Sequence, residues 1–209
     1  MAVLRVARLS GEHVVLEPME TDHADDIAAA ATGDRSTFTL THVPDGPEGA
    51  RAYVAQLLED AAAGRVAPFV QRRAADGVVV GCTRFMSPVW AFGRDDPDEV
   101  EIGGTWLAPA AQGTAVNTEA KLLLLTHAFA VWEVQRVAIC TDERNARSRR
   151  AIEALGAVFE GVLRRHRASA TAGERGVLRN SAMYSITIDD WPAVRDGLVR
   201  RLASRREDG

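Results

Sequence analysis

Residues 101–129, EIGGTWLAPAAQGTAVNTEAKLLLLTHAF, combine a carboxylate, a glycine pair, a loop of small residues and the start of a strongly apolar helix. A helix N-terminus offers backbone N–H groups without intrahelical partners and the positive end of the helix dipole, so it can seat a phosphate. Small residues let such a ligand approach the main chain closely. Strand alternation through 99–105 puts Glu99, Glu101, Gly103 and Thr105 on one face. Glu101 is therefore a candidate proton acceptor, and backbone N–H groups near Gly103 and Gly104 are candidates for polarising a carbonyl oxygen. Many α/β proteins carry a strand, a small-residue loop and a helix in this order, so spacing alone leaves phosphate binding open.

A second stretch, TDERNARSRRAIEALGAVFEGVLRRHR at 141–167, concentrates Arg144, Arg147, Arg149, Arg150, Arg164, Arg165 and Arg167. Arginines in such density either contact phosphates or an acidic partner, or form a solvated helix face. The net charge of −4 argues against a nucleic-acid partner. Cys82 and Cys140 stand outside any metal or CxxC spacing and read as small buried residues within strands. His13, His23 and His42 have no ligand spacing with any Cys or Asp, so no metal is expected. His127 falls on the apolar helix and reads as core.

These residues need a scaffold. Residues 13–17 form a short strand ended by Pro18, and 24–31 an alanine-rich helix begun at Thr21-Asp22. Residues 48–63 make a second helix closed by Gly64. Strands at 68–73 and 78–88 flank an Ala-Asp-Gly turn and make a hairpin. A loop at 90–97 leads to the strand at 99–107, then to the helix at 117–133 with Asn117 as its N-cap. A strand at 137–140, a helix at 147–155 stopped by Gly156, and a pair of strands at 158–167 and 181–188 follow. Asp190 caps a final helix to about 204. Three consecutive central strands exclude a purely parallel sheet. The order predicts an α+β fold, a mixed, mostly antiparallel sheet of roughly six to seven strands flanked by helices. Without repeats or a low-complexity linker, residues 1–209 are read as one domain. The N-terminus has no signal-peptide apolar run, and no stretch approaches the ~20 apolar residues of a membrane span, so a cytoplasmic location with no membrane partner is expected.

The segments VEIGGTWL, NTEAKLLLLTHAF and RNARSRRAIEALGAVFEGVLRRHR, in this order and separation, resemble the GNAT N-acetyltransferases. The similarity runs from LSGEHVVLEP to YSITIDDWPAV and is greatest to the branch that acetylates ribosomal-protein N-termini. The resemblance implies acetyl-coenzyme A as co-substrate and a primary amine as acceptor, either a protein N-terminus or a small molecule. It implies that the loop of Gln112, Gly113, Thr114, Ala115, Val116 and Asn117 binds the coenzyme pyrophosphate through backbone amides. Ala115 and Asn117 depart from the family's glycine-rich pattern there. The coenzyme also passes Gly103, Gly104 and Thr105; Asn145 meets its pantetheine arm, and Ser148 assists the departing thiolate. Ile152 stands where many relatives have a tyrosine acid. The resemblance makes Glu101 the base and sets His166 and Tyr184 beside the acceptor groove. It also makes a homodimer an available assembly. A noncatalytic module that keeps the fold is the alternative, and the altered loop is what favours it.

Overall fold

The computed structural model describes residues 4–207, whose elements follow the hydrophobic periods of the sequence. The strands are β1 (Leu9–Ser10), β2 (Val14–Pro18), β3 (Val66–Arg73), β4 (Val79–Val89), β5 (Glu99–Leu107), β6 (Arg136–Asp142), β7 (Val158–Ala168) and β8 (Leu178–Thr187). The helices are α1 (Ala24–Ala30), α2 (Gly46–Ala62), α3 (Ala115–Ala130), α4 (Ala146–Glu153) and α5 (Trp191–Glu207). One sheet takes all the strands in the order β1-β2-β3-β4-β5-β6-β8-β7. Only β5 and β6 run parallel, so the sheet is mixed and mostly antiparallel as expected. The extra strand is β1, two residues long and too short to leave a periodic signal.

Helices cover both faces. On one, Ile27 of α1 and Tyr53, Val54 and Leu57 of α2 pack on Val66, Val70, Cys82 and Trp106. On the other, Leu124, Leu125, Ala128 and Phe129 of α3 and Leu198 of α5 pack on Phe69, Phe85, Ile102, Ile139 and Tyr184. Phe129 and Trp191 stack at 5.3 Å between α3 and α5. Each fully buried side chain of this size contributes about 1.5–3 kcal/mol. Gly81 allows β4 to meet β5 closely, since a Cβ there would lie 2.1 Å from the Trp106 carbonyl oxygen.

One buried polar contact fixes the position of α3. The Glu119 carboxylate accepts hydrogen bonds from the backbone N–H groups of Glu12, His13 and Val14 at 2.9, 2.6 and 2.8 Å. Three backbone donors compensate the cost of burying the charge. They tie the β1–β2 turn to the helix that follows the small-residue loop. Among the described residues, no helix is long and apolar enough to cross a membrane.

Candidate active site

The parallel pairing of β5 with β6 is brief. It joins Glu99, Val100 and Glu101 to Arg136, Val137 and Ala138, and there it stops. β5 nevertheless continues to Leu107, while β6 remains paired with β8 through Asp142. The two strands therefore splay beyond Glu101, opening a V whose apex is that residue.

Cross-strand partners share a face, so Glu101 lies with Met86 of β4 and Ala138 of β6, and Cys140 follows two residues on. Glu101 is 4% exposed and its carboxylate accepts from three donors. Arg167 of β7 grips it from both sides, Nη1 donating to Oε1 at 2.7 Å and Nη2 to Oε2 at 2.6 Å. The Cys140 thiol donates to Oε1 at 3.3 Å. Burial first, then the neighbouring Glu101 charge, push that thiol up to about 11, so Cys140 is a poor nucleophile near neutral pH. Arg167 reaches Glu101 because β7 leaves its register between Leu163 and Arg167, where Arg165 takes φ 49°.

A bulge also interrupts β5. Gly103 opposes Arg84 and Trp106 opposes Cys82, so Gly104 and Thr105 together face Thr83. Gly104 sits at φ 58°, which glycine adopts without strain. The extra residue turns Thr105 to the opposite face from Glu101 and Gly103, correcting the alternation expected from sequence. There the Thr105 and Thr83 hydroxyls lie 2.8 Å apart. Lys121 of α3 donates to Thr105 Oγ1 at 2.6 Å and to Thr83 Oγ1 at 3.4 Å. Lys121 is buried and, among the described residues, forms no ion pair; burial pushes its amine down to about 7.

The loop before α3 is pinned by side chains. Thr114, not Asn117, caps the helix: its hydroxyl accepts from the Val116 N–H at 3.3 Å and donates to the Ala111 carbonyl at 2.7 Å. α3 thus begins two residues earlier than expected, and Ala115, Val116 and Asn117 form its first turn. Gln112 donates to the Leu107 carbonyl and to Thr37, and accepts from Arg147 at 2.7 Å. Its amide is therefore spent on holding the loop, and Gly113 turns the chain at φ 73°. Arg147 also reaches the Thr37 carbonyl at 2.8 Å, joining α4 to the loop. Asn145 caps α4 by accepting from the Ser148 N–H at 3.0 Å. The half-buried Ser148 hydroxyl has no hydrogen-bond partner among the described residues.

The expectations for β7 and β8 part company. His166 precedes Arg167 on β7 and feels both that arginine and Glu101; burial, then Arg167, lower its basicity. Tyr184 is fully buried on the face opposite Glu101, paired with Ile139 rather than Cys140. Its hydroxyl accepts from Arg149 at 3.0 Å and donates to Glu153 at 2.8 Å, which anchors α4. Tyr184 is a core residue and does not border an acceptor groove beside Glu101. The remaining arginines mostly serve structure: Arg144 pairs with Asp142 and Glu174, and Arg149 lies over Phe159. Arg167, Lys121 and Arg84 had no separating signal in the sequence, because each is placed by a bulge or by pairing with a distant strand. One concavity lies elsewhere, between α1, the β3–β4 turn and residues 108–111, at the far end of β4 from Met86.

The same fold is found among acetyltransferases of known structure. The acetyltransferase (GNAT) domain family matches residues 13–158, and the chain belongs to that family. It is an acetyl-coenzyme A-dependent N-acetyltransferase. A candidate acetyltransferase from T. thermophilus is 33% identical, with a TM-score of 0.80 over 95% of this chain and 98% of that one. Mycobacterium smegmatis RimJ, solved in complex with CoA-disulfide, shares the fold at TM-score 0.73 and 22% identity, covering 92% of this chain and 90% of its own. YdaF of Bacillus subtilis (strain 168), named as a candidate ribosomal N-acetyltransferase, is 39% identical over 61 residues, 29% of this chain and 33% of that protein.

Proposed function

We propose that the protein transfers an acetyl group from acetyl-coenzyme A to a primary amine, a protein N-terminus or a small molecule, by direct attack in a ternary complex. The observation that carries this reading is the V between β5 and β6, with a buried carboxylate at its apex and a helix N-terminus beyond its open side. The pyrophosphate lies against the backbone of Gly113 to Asn117, where the α3 dipole favours negative charge. The pantetheine arm follows the β5 edge past Gly103, Gly104 and Thr105, and meets Asn145 on the facing side. This brings the thioester carbon to the apex, with its oxygen toward the bulge backbone N–H groups.

The amine nitrogen attacks that carbon, and the tetrahedral intermediate collapses with expulsion of the coenzyme A thiolate. Ser148 stands to hydrogen-bond the thiolate, which then takes up a proton. The amine proton leaves toward Glu101. Arg167 occupies one position on each carboxylate oxygen and Cys140 a second on Oε1, so the remaining lone pair of Oε2 can accept from the amine or from a bridging water. A protein α-amino group, with a pKa of about 7.7–8.0, needs only modest help of this kind. The inert Cys140 thiol, held by Glu101, supports direct attack over an acyl-cysteine intermediate.

Calorimetric titration with acetyl-coenzyme A and with free coenzyme A tests the reading, followed by an amine screen using thiol release. Micromolar binding with turnover is the expected result. A folded protein that binds neither would favour the noncatalytic alternative, in which Ala115 and Asn117 have cost the loop its ligand. Asn145→Ala should weaken acetyl-coenzyme A binding about tenfold, some 1.4 kcal/mol. It should also cost about 1 kcal/mol of stability through loss of the α4 cap, measurable by thermal melt. Unchanged affinity with the stability loss alone would confine Asn145 to capping.

A further inference from the structure

Arg84 is a half-buried cation without a counterion among the described residues. It stands on β4 opposite Gly103, on the face that carries Glu101, and its guanidinium occupies the space that a side chain on Gly104 would need. A Cβ at Gly104 would lie 2.4 Å from both Arg84 Cζ and Nη1. No carboxylate forms an ion pair with Arg84 among the described residues, and its Nε is buried with no hydrogen-bond partner. Two further polar atoms are buried without partners in the same place. The Tyr53 hydroxyl lies close to the Trp106 indole and to Arg84, yet among the described residues neither it nor the Trp106 indole N–H makes a hydrogen bond of ordinary geometry. Tyr53 is 7% and Trp106 3% exposed.

Native proteins rarely leave one such group unsatisfied, and here there are three donors together. Unpaired buried cations are costly, so an anionic partner is the missing component. The surroundings exclude an internal one. Glu101 is paired with Arg167 rather than Arg84, and His42, which packs against Tyr53 at 5.8 Å between ring centres, is held toward its neutral form by burial and then by Arg84. Arg84 and Glu101 are diagonal neighbours on adjacent strands, roughly 7–8 Å apart at the backbone.

We propose that Arg84, with the Tyr53 hydroxyl and the Trp106 indole N–H, binds a carboxylate on the amine acceptor. The acceptor is thus an amine with an acid group a few bonds away, its ammonium toward Glu101 and its carboxylate on the guanidinium. A planar guanidinium suits a carboxylate because it can donate two parallel hydrogen bonds. The inference rests on the acetyl-transfer reading and narrows its acceptor.

The test measures kcat/KM, corrected for the fraction of each acceptor present as free amine, for acceptor pairs with and without that charge. Free amino acids are compared with their carboxamides, and peptides beginning with Asp or Glu with those beginning with Asn or Gln. The first pair detects a free α-carboxylate and the second an acidic side chain. In the native protein at least one acid should exceed its amide 10- to 100-fold. Arg84→Gln should bring that ratio near one, mainly by raising KM for the acid. Equal use of acid and amide, or a preference that survives in Arg84→Gln, would overturn the inference and leave acetyl transfer standing. If acetyl-coenzyme A binds but no amine is acetylated, the transfer reading fails. Calorimetry of the same acids with the coenzyme A complex then decides: binding lost in Arg84→Gln supports the carboxylate site, and binding absent or equal in the two proteins rejects it.

Discussion

Glu101→Gln should lower kcat/KM for amine acetylation about 100-fold, the scale of one positioned acid–base group, while acetyl-coenzyme A affinity stays within twofold. The separation follows from position. Glu101 sits at the apex of the V, where the strands stop pairing, whereas the loop assigned to the pyrophosphate lies past the far end of β5. Glutamine keeps the shape and loses the charge, leaving Arg167 without its partner. A cost in stability is therefore expected, reduced because the Arg167 side chain is 28% exposed and water can solvate it. Kinetics and thermal melts on one preparation separate the two effects. A lower melting temperature with unchanged turnover would make Glu101 only the counterion of Arg167. Loss of turnover in a variant that still binds acetyl-coenzyme A would support its place at the reacting amine.

Lys121→Met should make the protein more stable at pH 6 and leave it little changed near pH 10. Burial holds the folded-state amine at about 7, against 10.5 in the unfolded chain. Between those values the unfolded chain binds the extra proton, so the stability of the native protein rises with pH across that window. The lysine therefore costs most at and below pH 7, where folding must either release the proton or bury the charge. A shift of this size corresponds to several kcal/mol, and each kcal/mol moves the melting temperature of a chain this long by about 2–4 °C. Methionine is similar in length, and the Thr83 and Thr105 hydroxyls retain each other at 2.8 Å. Melting curves of both proteins from pH 6 to 10 should converge toward the alkaline end. A variant less stable at every pH would show that the Lys121 hydrogen bonds outweigh its burial.

The elements that build the site were legible because their signals are local. The alternating run of β5, the apolar circumference of α3 and the Gly156 stop after α4 each appear within a dozen residues. What failed to read depends on departures from period. The bulge at Gly104 moves Thr105 to the other face, and period-two reasoning has no means to place such an insertion. Asn117 and Thr114 are both good caps by residue type, and the extended backbone at Thr114 decides between them. Tyr184 looked like a groove residue from its strand alone, whereas register against β6 turns it into the core beneath α4. Arg167 was one arginine among seven until the irregular register of β7 brought it to Glu101.

The brevity of the β5–β6 junction also bears on how the molecule holds together. Among the described residues, three residue pairs are the sheet's only continuity between a five-strand half, β1 to β5, and a three-strand half, β6 to β8. Below the junction the halves are bridged instead by side chains: Glu101 with Arg167 and Cys140, and α3 with α5 through Phe129 and Trp191. On the proposed reading, a co-substrate lying in the V would touch both halves and act as a removable clasp. On that reading its arrival would stiffen the two leaves of one sheet against each other, and its departure would free them.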